Sequence, residues 1–297
     1  MQRFRNSFTP PRPLLVLAFS GALGFWIGIT AFPDWQVAVE TAQVVAGLVQ
    51  YPIDNPFYIY HVKLWTVLHQ LGAVLLRSGV SELGLSKIVS GLLGLISLQA
   101  LTMFVYAFSR DGLYAIGSAF AIVFSGAADF GVAYPIMFVG TSHTYGVIGL
   151  STLVLAAGLI GSGRYHLGGF LVGVMPAVHP SLGAWLAVIM AISLASDFKK
   201  LSVELRPALP WFLAGSALTL ISLVVHLIFA AGVPRVEKEV VEPYLLMFVR
   251  FWDGHRQAVD VGRPGVLLNF GALALALMWL RFFADDLPRP ALLLLRL

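Results

Sequence analysis

The chain has 297 residues, 58% of them hydrophobic and 11% charged, and a mean hydropathy of +0.84. Soluble domains carry roughly 25% charge, so this composition excludes one and describes an all-α, polytopic membrane protein, a single transmembrane helix bundle over residues 1–297. The net charge of +4 is read through its distribution over loops, not as a nucleic-acid surface, and with no cysteine there are neither disulfides nor thiolate metal sites.

Arg3, Arg5 and Arg12 precede the first apolar run, residues 14–32. That run is long enough to cross a bilayer and no small-residue cleavage site follows it, so it reads as a retained helix. Asp34 comes directly after, in Phe32-Pro33-Asp34-Trp35. An ionisable group at a membrane boundary is a site candidate; the same residue also reads as the N-cap of a following helix. Residues 33–83 form the first external loop. Within it, residues 36–50 carry Gln36, Glu40, Gln43, Gly47 and Gln50 as a narrow polar stripe on an apolar rod. Residues 62–77 repeat the arrangement with Lys63, Thr66, Gln70, Ala73 and Arg77, opposite Leu64, Trp65, Leu68, Leu71 and Leu75. Both segments are expected to lie in the interface, the second with Lys63 and Arg77 toward headgroups or cavity water. Between them, residues 51–61 read as an ordered interfacial loop, because two prolines and Asp54-Asn55 break helix and three tyrosines crowd it. Tyrosine anchors at bilayer surfaces, and Asp54 and His61 are secondary site candidates.

Further apolar runs cover residues 84–108, 112–130, 144–160, 167–178, 181–194, 209–230 and 266–280. Pro180 disfavours helical backbone at His179. Reading 167–178 and 181–194 as two helices puts Arg110, Arg164, Lys199, Lys200 and Arg206 on the side of the amino terminus, as the positive-inside rule prefers. Eight spans result, with a cytoplasmic amino terminus. Residues 34–87, 133–143, His179 and a second long loop, 232–265, then lie outside. Another apolar run starts at Ala291 and stops at Leu297, which leaves a continuation of the chain open.

The second loop contains Arg235, Lys238, Arg250, Arg256 and Arg263. Arginine offers fork-shaped donors suited to phosphate, while each of these residues alone also reads as part of a solvated, mixed-charge surface. His143, in Gly140-Thr141-Ser142-His143-Thr144-Tyr145, is a candidate sugar contact or proton carrier, or a cap on the next span. His69, His166 and His226 read as interface or packing residues, since no pair has metal-ligand spacing on a shared face. Carboxylates are few and dispersed, so a divalent cation stays undetermined.

The order of these features resembles the GT-C superfamily of membrane glycosyltransferases, which use polyprenyl-phosphate sugars. The resemblance is one of layout over nearly the whole chain. Asp34 stands at the family's acidic position, Asn55-Pro56-Phe57-Tyr58-Ile59-Tyr60 at its proline-aromatic stretch, and Gly79-Val80-Ser81-Glu82-Leu83-Gly84-Leu85-Ser86-Lys87 at its Gly-hydrophobic-acidic segment. Gly161-Ser162-Gly163-Arg164 matches a basic turn after the fourth span, and Gly168-Gly169 to His179-Pro180 a glycine-rich fifth span. The resemblance implies transfer of a sugar, with inversion, from a lipid-phosphate donor to a glycan, lipid or protein acceptor outside the cytoplasm. Asp34 would be the general base and Glu40 a weaker alternative; Asp54, Tyr58, His61 and His143 would line the site; His179, Arg250 and Arg256 would hold phosphate. The chain departs from the pattern in having Trp35 where a second acid often stands, and histidine at 179 where lysine is frequent. A non-catalytic subunit of the same layout is the main alternative. A secondary transporter is disfavoured, because no internal repeat is evident and Asp129 is the one carboxylate within a span.

Overall fold

The computed structural model describes residues 13–30, 36–124, 144–196, 198–234, 237–251, 261–262, 264–283 and 287–296. Among the described residues the protein is all-helical, without strands. Three helices are long and apolar enough to cross a membrane: Pro13–Thr30, Glu82–Ser109 and the continuous helical stretch Leu201–Ala230.

The bundle is assembled through glycines. Helix α1 (Pro13–Thr30) carries Gly21, Gly24 and Gly28 on one face. They meet α5 (Glu82–Ser109) so closely that a methyl group on Gly24 would collide with the Gly94 carbonyl, and one on Gly28 with the Ser90 carbonyl. Small residues let backbones approach where no water drives helices together. Because Gly21 faces Gln99 and Gly28 faces Ser90, the two helices run antiparallel. The helix α7 (Thr144–Gly161) packs on α5 with Ser97 hydroxyl 3.1 Å from that of Ser151 and Gly158 against the Met103–Phe104 backbone, so this pair is parallel. The intervening α6 (Gly112–Phe124) starts the return between them.

Helix α8 (Tyr165–Val178) runs antiparallel to α7, with Gly168 on Ile160 at one end and His179 on Gly149 at the other. Beyond the break comes α9 (Pro180–Ser196), then α10 (Phe198–Leu205), a 3-10 turn Arg206–Ala208, and α11 (Leu209–Ala230). Gly169 abuts Ala208 while Gly173 and Gly215 interlock, and the Thr219 hydroxyl donates to the Gly173 carbonyl at 2.8 Å. These pairings make α8 and α11 parallel, so α9 carries the chain back between them. The break itself is sharp: His179 is extended, at φ −151° and ψ 100°, and Gly183 sits against Pro176.

The first loop departs from the sequence reading in three ways. Its first helix, α2 (Val37–Ala46), stops at Gly47, whose left-handed φ of 75° closes it; Gln50 is therefore not on the stripe. Residues 51–61 are not all loop. Asn55 accepts from the Phe57 and Tyr58 amides, and Pro56 occupies the first turn, where its missing N–H costs nothing; helix α3 (Pro56–Lys63) follows. Its residues break at Leu64 and Thr66 caps α4 (Val67–Arg77), so residues 62–77 are not one helix. Eleven residues span about 16 Å, short of the ~30 Å apolar core. Along the stripe the two ends, Lys63 and Arg77, are exposed, while Thr66 and Ala73 are buried. Thr66 and Gln70 have partners on α8 and α11, which draws the middle of the stripe toward protein.

The second loop also contains helix, α12 (Lys238–Phe251), before α13 (Pro264–Phe283) and α14 (Arg289–Arg296). Helix α14 packs on the lower end of α7, with Leu293 beside Ile160 and Leu201.

The glycine seam predicts a contrast between two small substitutions. Gly24→Val must push α1 off the α5 backbone and should destabilise by about 1–3 kcal/mol or more. Gly117→Ala, into open space on α6, should be neutral or stabilise by up to about 1 kcal/mol. Thermal unfolding of both variants in detergent micelles measures the difference.

Candidate functional site

At the end of the bundle where α7 begins and α8 stops, the three short helices of the first loop dock by polar bonds. Thr66 donates to the Val178 carbonyl at 2.9 Å while its oxygen caps α4. Trp65 donates its indole N–H to Ser222 of α11 at 3.1 Å, and Gln70 both accepts from the Ser222 hydroxyl (2.7 Å) and donates to its carbonyl (2.8 Å). Gln36 donates to Ser90 of α5 at 2.6 Å. Arg77 reaches back to the last carbonyls of α2, Val45 and Ala46, at 2.9 and 3.1 Å, where a cation answers the helix dipole. Beneath lies an apolar floor of Leu93, Val147, Ile148 and Val178.

On this floor stands a row of rings. The His61 Nδ1 pairs with the Thr41 hydroxyl at 2.5 Å, and the Phe57 ring lies 4.2 Å from its imidazole. His69 meets Tyr145 edge-on at 5.7 Å, and Tyr145 stacks on His179 at 5.3 Å and 16°. Gly149 makes room for His179, whose Cβ would otherwise be struck. The His179 Nδ1 accepts from the Leu182 amide at 3.4 Å and faces the Ser181 hydroxyl at 3.1 Å. An amide can only donate, so Nδ1 is the acceptor and the neutral ring carries its proton on Nε2.

His61 and His69 are 4% and 2% exposed, and burial drives both toward the neutral form: His61 is lowered to about 4 and His69 to about 3. For His69 the neighbouring His61 adds to the depression, and the Leu64 carbonyl opposes it. Two ring nitrogens, His61 Nε2 and His69 Nδ1, are buried without a hydrogen-bond partner. Buried groups of this kind normally meet an ordered water or ion. As metal ligands they are two, fewer than the three or four side chains that zinc takes, and the described residues contain no group of three metal-ligating side chains.

The other expected site residues are dispersed. Glu40 is half-buried on α2, adjacent in sequence to Thr41. Asp54 is exposed in the turn before α3, and Tyr58 is half-buried with its ring 6.5 Å from Tyr51. Arg250 is exposed near the end of α12, 5.5 Å from the Phe251 ring, and α12 makes no extensive contact with another described helix. Asp34, His143 and Arg256 lie outside the described residues. In sequence, Asp34 is two residues before Gln36, and His143 two before Tyr145. Thr41 and Tyr145 are not marked as site residues by sequence, and His69 reads there as an interface or packing residue. Tyr145 shares a hexapeptide with His143, but nothing local marks His69, because the turn at 64–66 brings it in. Compared with protein families, characterised proteins and solved structures, the chain matches none.

The buried imidazoles predict an acid-sensitive fold. Their folded pKa values lie below the ordinary 6.5, so the unfolded chain binds more protons as pH falls. Their contribution is complete above pH 6.5 and is lost as pH falls through about 4 for His61 and about 3 for His69, on the order of a few kcal/mol. The melting temperature should fall across that window, and the double variant His61→Gln, His69→Gln should flatten the decline. An equally steep decline in the double variant would assign it to other groups.

Proposed function

We propose that the protein is a membrane glycosyltransferase that moves a sugar from a polyprenyl-phosphate donor to an acceptor outside the cytoplasm. The observation that carries this reading is the docking of the first loop, with α3 and α4 held through Thr66, Trp65 and Gln70 on the end of α8 and on Ser222 of α11, and α2 tied to α5 through Gln36. It gathers His61, His69, Tyr145 and His179 at one end of the bundle. The segments bearing Asp34 and His143 join the described chain next to Gln36 and Tyr145.

The proposed topology has eight spans: α1, α5, α6, α7, α8, α9, α11 and α13, with the ring cluster external. It is supported by the helix directions and by two anchors at opposite ends. Lys63 donates to the Pro234 carbonyl beyond α11 at 3.3 Å. At the other end, Arg110 holds the Gly161 and Ser162 carbonyls at 2.9 and 3.2 Å, and Pro290 touches Gly163. A passage of the chain from one end of the bundle to the other between Pro234 and Pro290 supports counting α13 as a span.

In the reaction, the acceptor hydroxyl gives its proton to the Asp34 carboxylate as its oxygen bonds to the anomeric carbon. The bond from that carbon to phosphate breaks, and the lipid phosphate leaves with the electron pair. The Nε2–H of His179 is a donor suited to phosphate oxygen, and Arg250 and Arg256 supply charge. A non-catalytic subunit of the same layout is favoured by one observation: the buried rings His61 and His69 are neutral imidazoles, and they have no carboxylate hydrogen-bonded to them among the described residues.

Two experiments test this. Single cysteines placed in the cysteine-free chain should be labelled from outside at position 54, and from the cytoplasm at 164 and 199; external labelling at 199 contradicts the topology. In a transfer assay, Asp34→Asn should keep donor binding and lower turnover on the order of 10²-fold, and Glu40→Gln should do less. Arg250→Ala should weaken donor binding. Wild-type transfer by Asp34→Asn removes that residue as base, and absence of transfer by the wild-type chain favours the subunit.

A further inference from the structure

The break at His179–Pro180 has a second consequence away from the ring cluster. Below it, α9 diverges from α8, and the wedge between them, backed by α11, is a cleft of about 650 Å³. Its apex is shut by backbone contact of Gly183 on Pro176. Its walls are apolar, with Ala187 and Met190 on the α9 side, and its polar residues include Ser202 and Arg206 at the opposite end, before α11 begins. The Thr219 hydroxyl, higher up, is already bonded to Gly173. From Gly183 to Leu194 the α9 wall runs about 16 Å, half of the ~30 Å apolar core and so the depth of one leaflet.

We propose that this cleft holds one acyl chain of an anionic phospholipid from the leaflet on the Arg206 side, with the lipid phosphate at Arg206 and Ser202. The dead-end apex decides the direction. A chain enters tail-first from the polar end and stops beneath Pro176, whereas the tail of a donor whose phosphate sits at His179 would have to pass through backbone. Length decides the source, because the cleft matches a single leaflet. Charge decides the headgroup: Arg206 is exposed at the mouth with Lys199 exposed on the same short connection, and basic pockets between transmembrane helices on the cytoplasmic side bind anionic headgroups. Glu204, half-buried on the same connection, acts electrostatically on Tyr165 at the start of α8. The assignment to the cytoplasmic leaflet rests on the topology proposed above, but not on sugar transfer.

The full chain, purified in mild detergent, is mixed with phosphatidylglycerol or phosphatidylcholine and examined by native mass spectrometry. One phosphatidylglycerol should be retained under conditions that strip phosphatidylcholine. Arg206→Ala should weaken retention about five-fold and abolish the headgroup preference. Ala187→Trp, which fills the cleft, should lose the adduct, and Met190→Trp gives the same test if the first variant fails to fold. Retention unchanged in the filled variants overturns the proposal, as does a headgroup preference that survives Arg206→Ala. Selective uptake of a polyprenyl phosphate insensitive to Arg206→Ala would also overturn it and give the cleft to the donor. Neither readout depends on Asp34, so loss of the transferase reading leaves this one standing.

Discussion

Backbone contact across missing side chains is the constraint on which the bundle depends. In a bilayer, helices gain little from burying apolar surface against one another, because the lipid is equally apolar. What remains is close packing, and here it is reached at Gly24 on Gly94, Gly158 on Met103, and Gly173 on Gly215. These three seams fix which helices run alike and which oppose, and each direction then obliges a return helix. The Ser97–Ser151 and Thr219–Gly173 bonds lie in or beside the seams, where short backbone separation brings small polar groups within reach.

The break at His179 turns this packing into a site. Pro180 prevents the preceding residue from continuing the helix, yet the Gly183 amide still bonds the His179 carbonyl at 2.9 Å. The chain therefore bends with a helical bond kept on either side of the break, and the groups freed at the break find other partners: the Leu182 amide meets the His179 ring and the Val178 carbonyl meets Thr66. The imidazole is held in the bend by the Leu182 amide and set on bare backbone at Gly149. One residue thus serves both as helix cap and as stacking surface for Tyr145.

Sequence reading reached the helices whose limits are written in local chemistry. The apolar runs at 144–160, 167–178 and 209–230 differ from α7, α8 and α11 by two residues or fewer at either end, and the split at His179 follows from Pro180 together with the distribution of loop charge. It misjudged the first loop because the same residue types have opposite meanings by position. Pro56 was read as a helix breaker, but preceded by Asn55 it is a helix starter. Thr66 was read as one position on a continuous stripe, but it caps a new helix. The carbonyls on α2, α8 and α11 that take up Arg77, Thr66 and Gln70 are distant in sequence, from 31 to 152 residues away, and no local pattern announces them. Of the expected site residues, His61 and His179 stand in or beside the row of rings, while Tyr58 and Arg250 meet rings close to them in sequence, Tyr51 and Phe251, and Asp54 is exposed in the turn before α3.

The polar docking of the first loop also has a mechanical meaning. Its helices are bonded to α5 through Gln36 and to α8 and α11 through Thr66, Trp65 and Gln70, while Arg77 ties α4 to α2. The loop is thus a cross-brace between the α1–α5 half and the α8–α11 half. Rotation of one half against the other would have to break the Ser90 joint, the Ser222 joint or the Arg77 tie between them, and the ring row lies between the two anchored ends. Because α7 already packs on both α5 and α8, the brace is a second link between the halves, and it holds the ring row from the loop side as well as from the helices beneath.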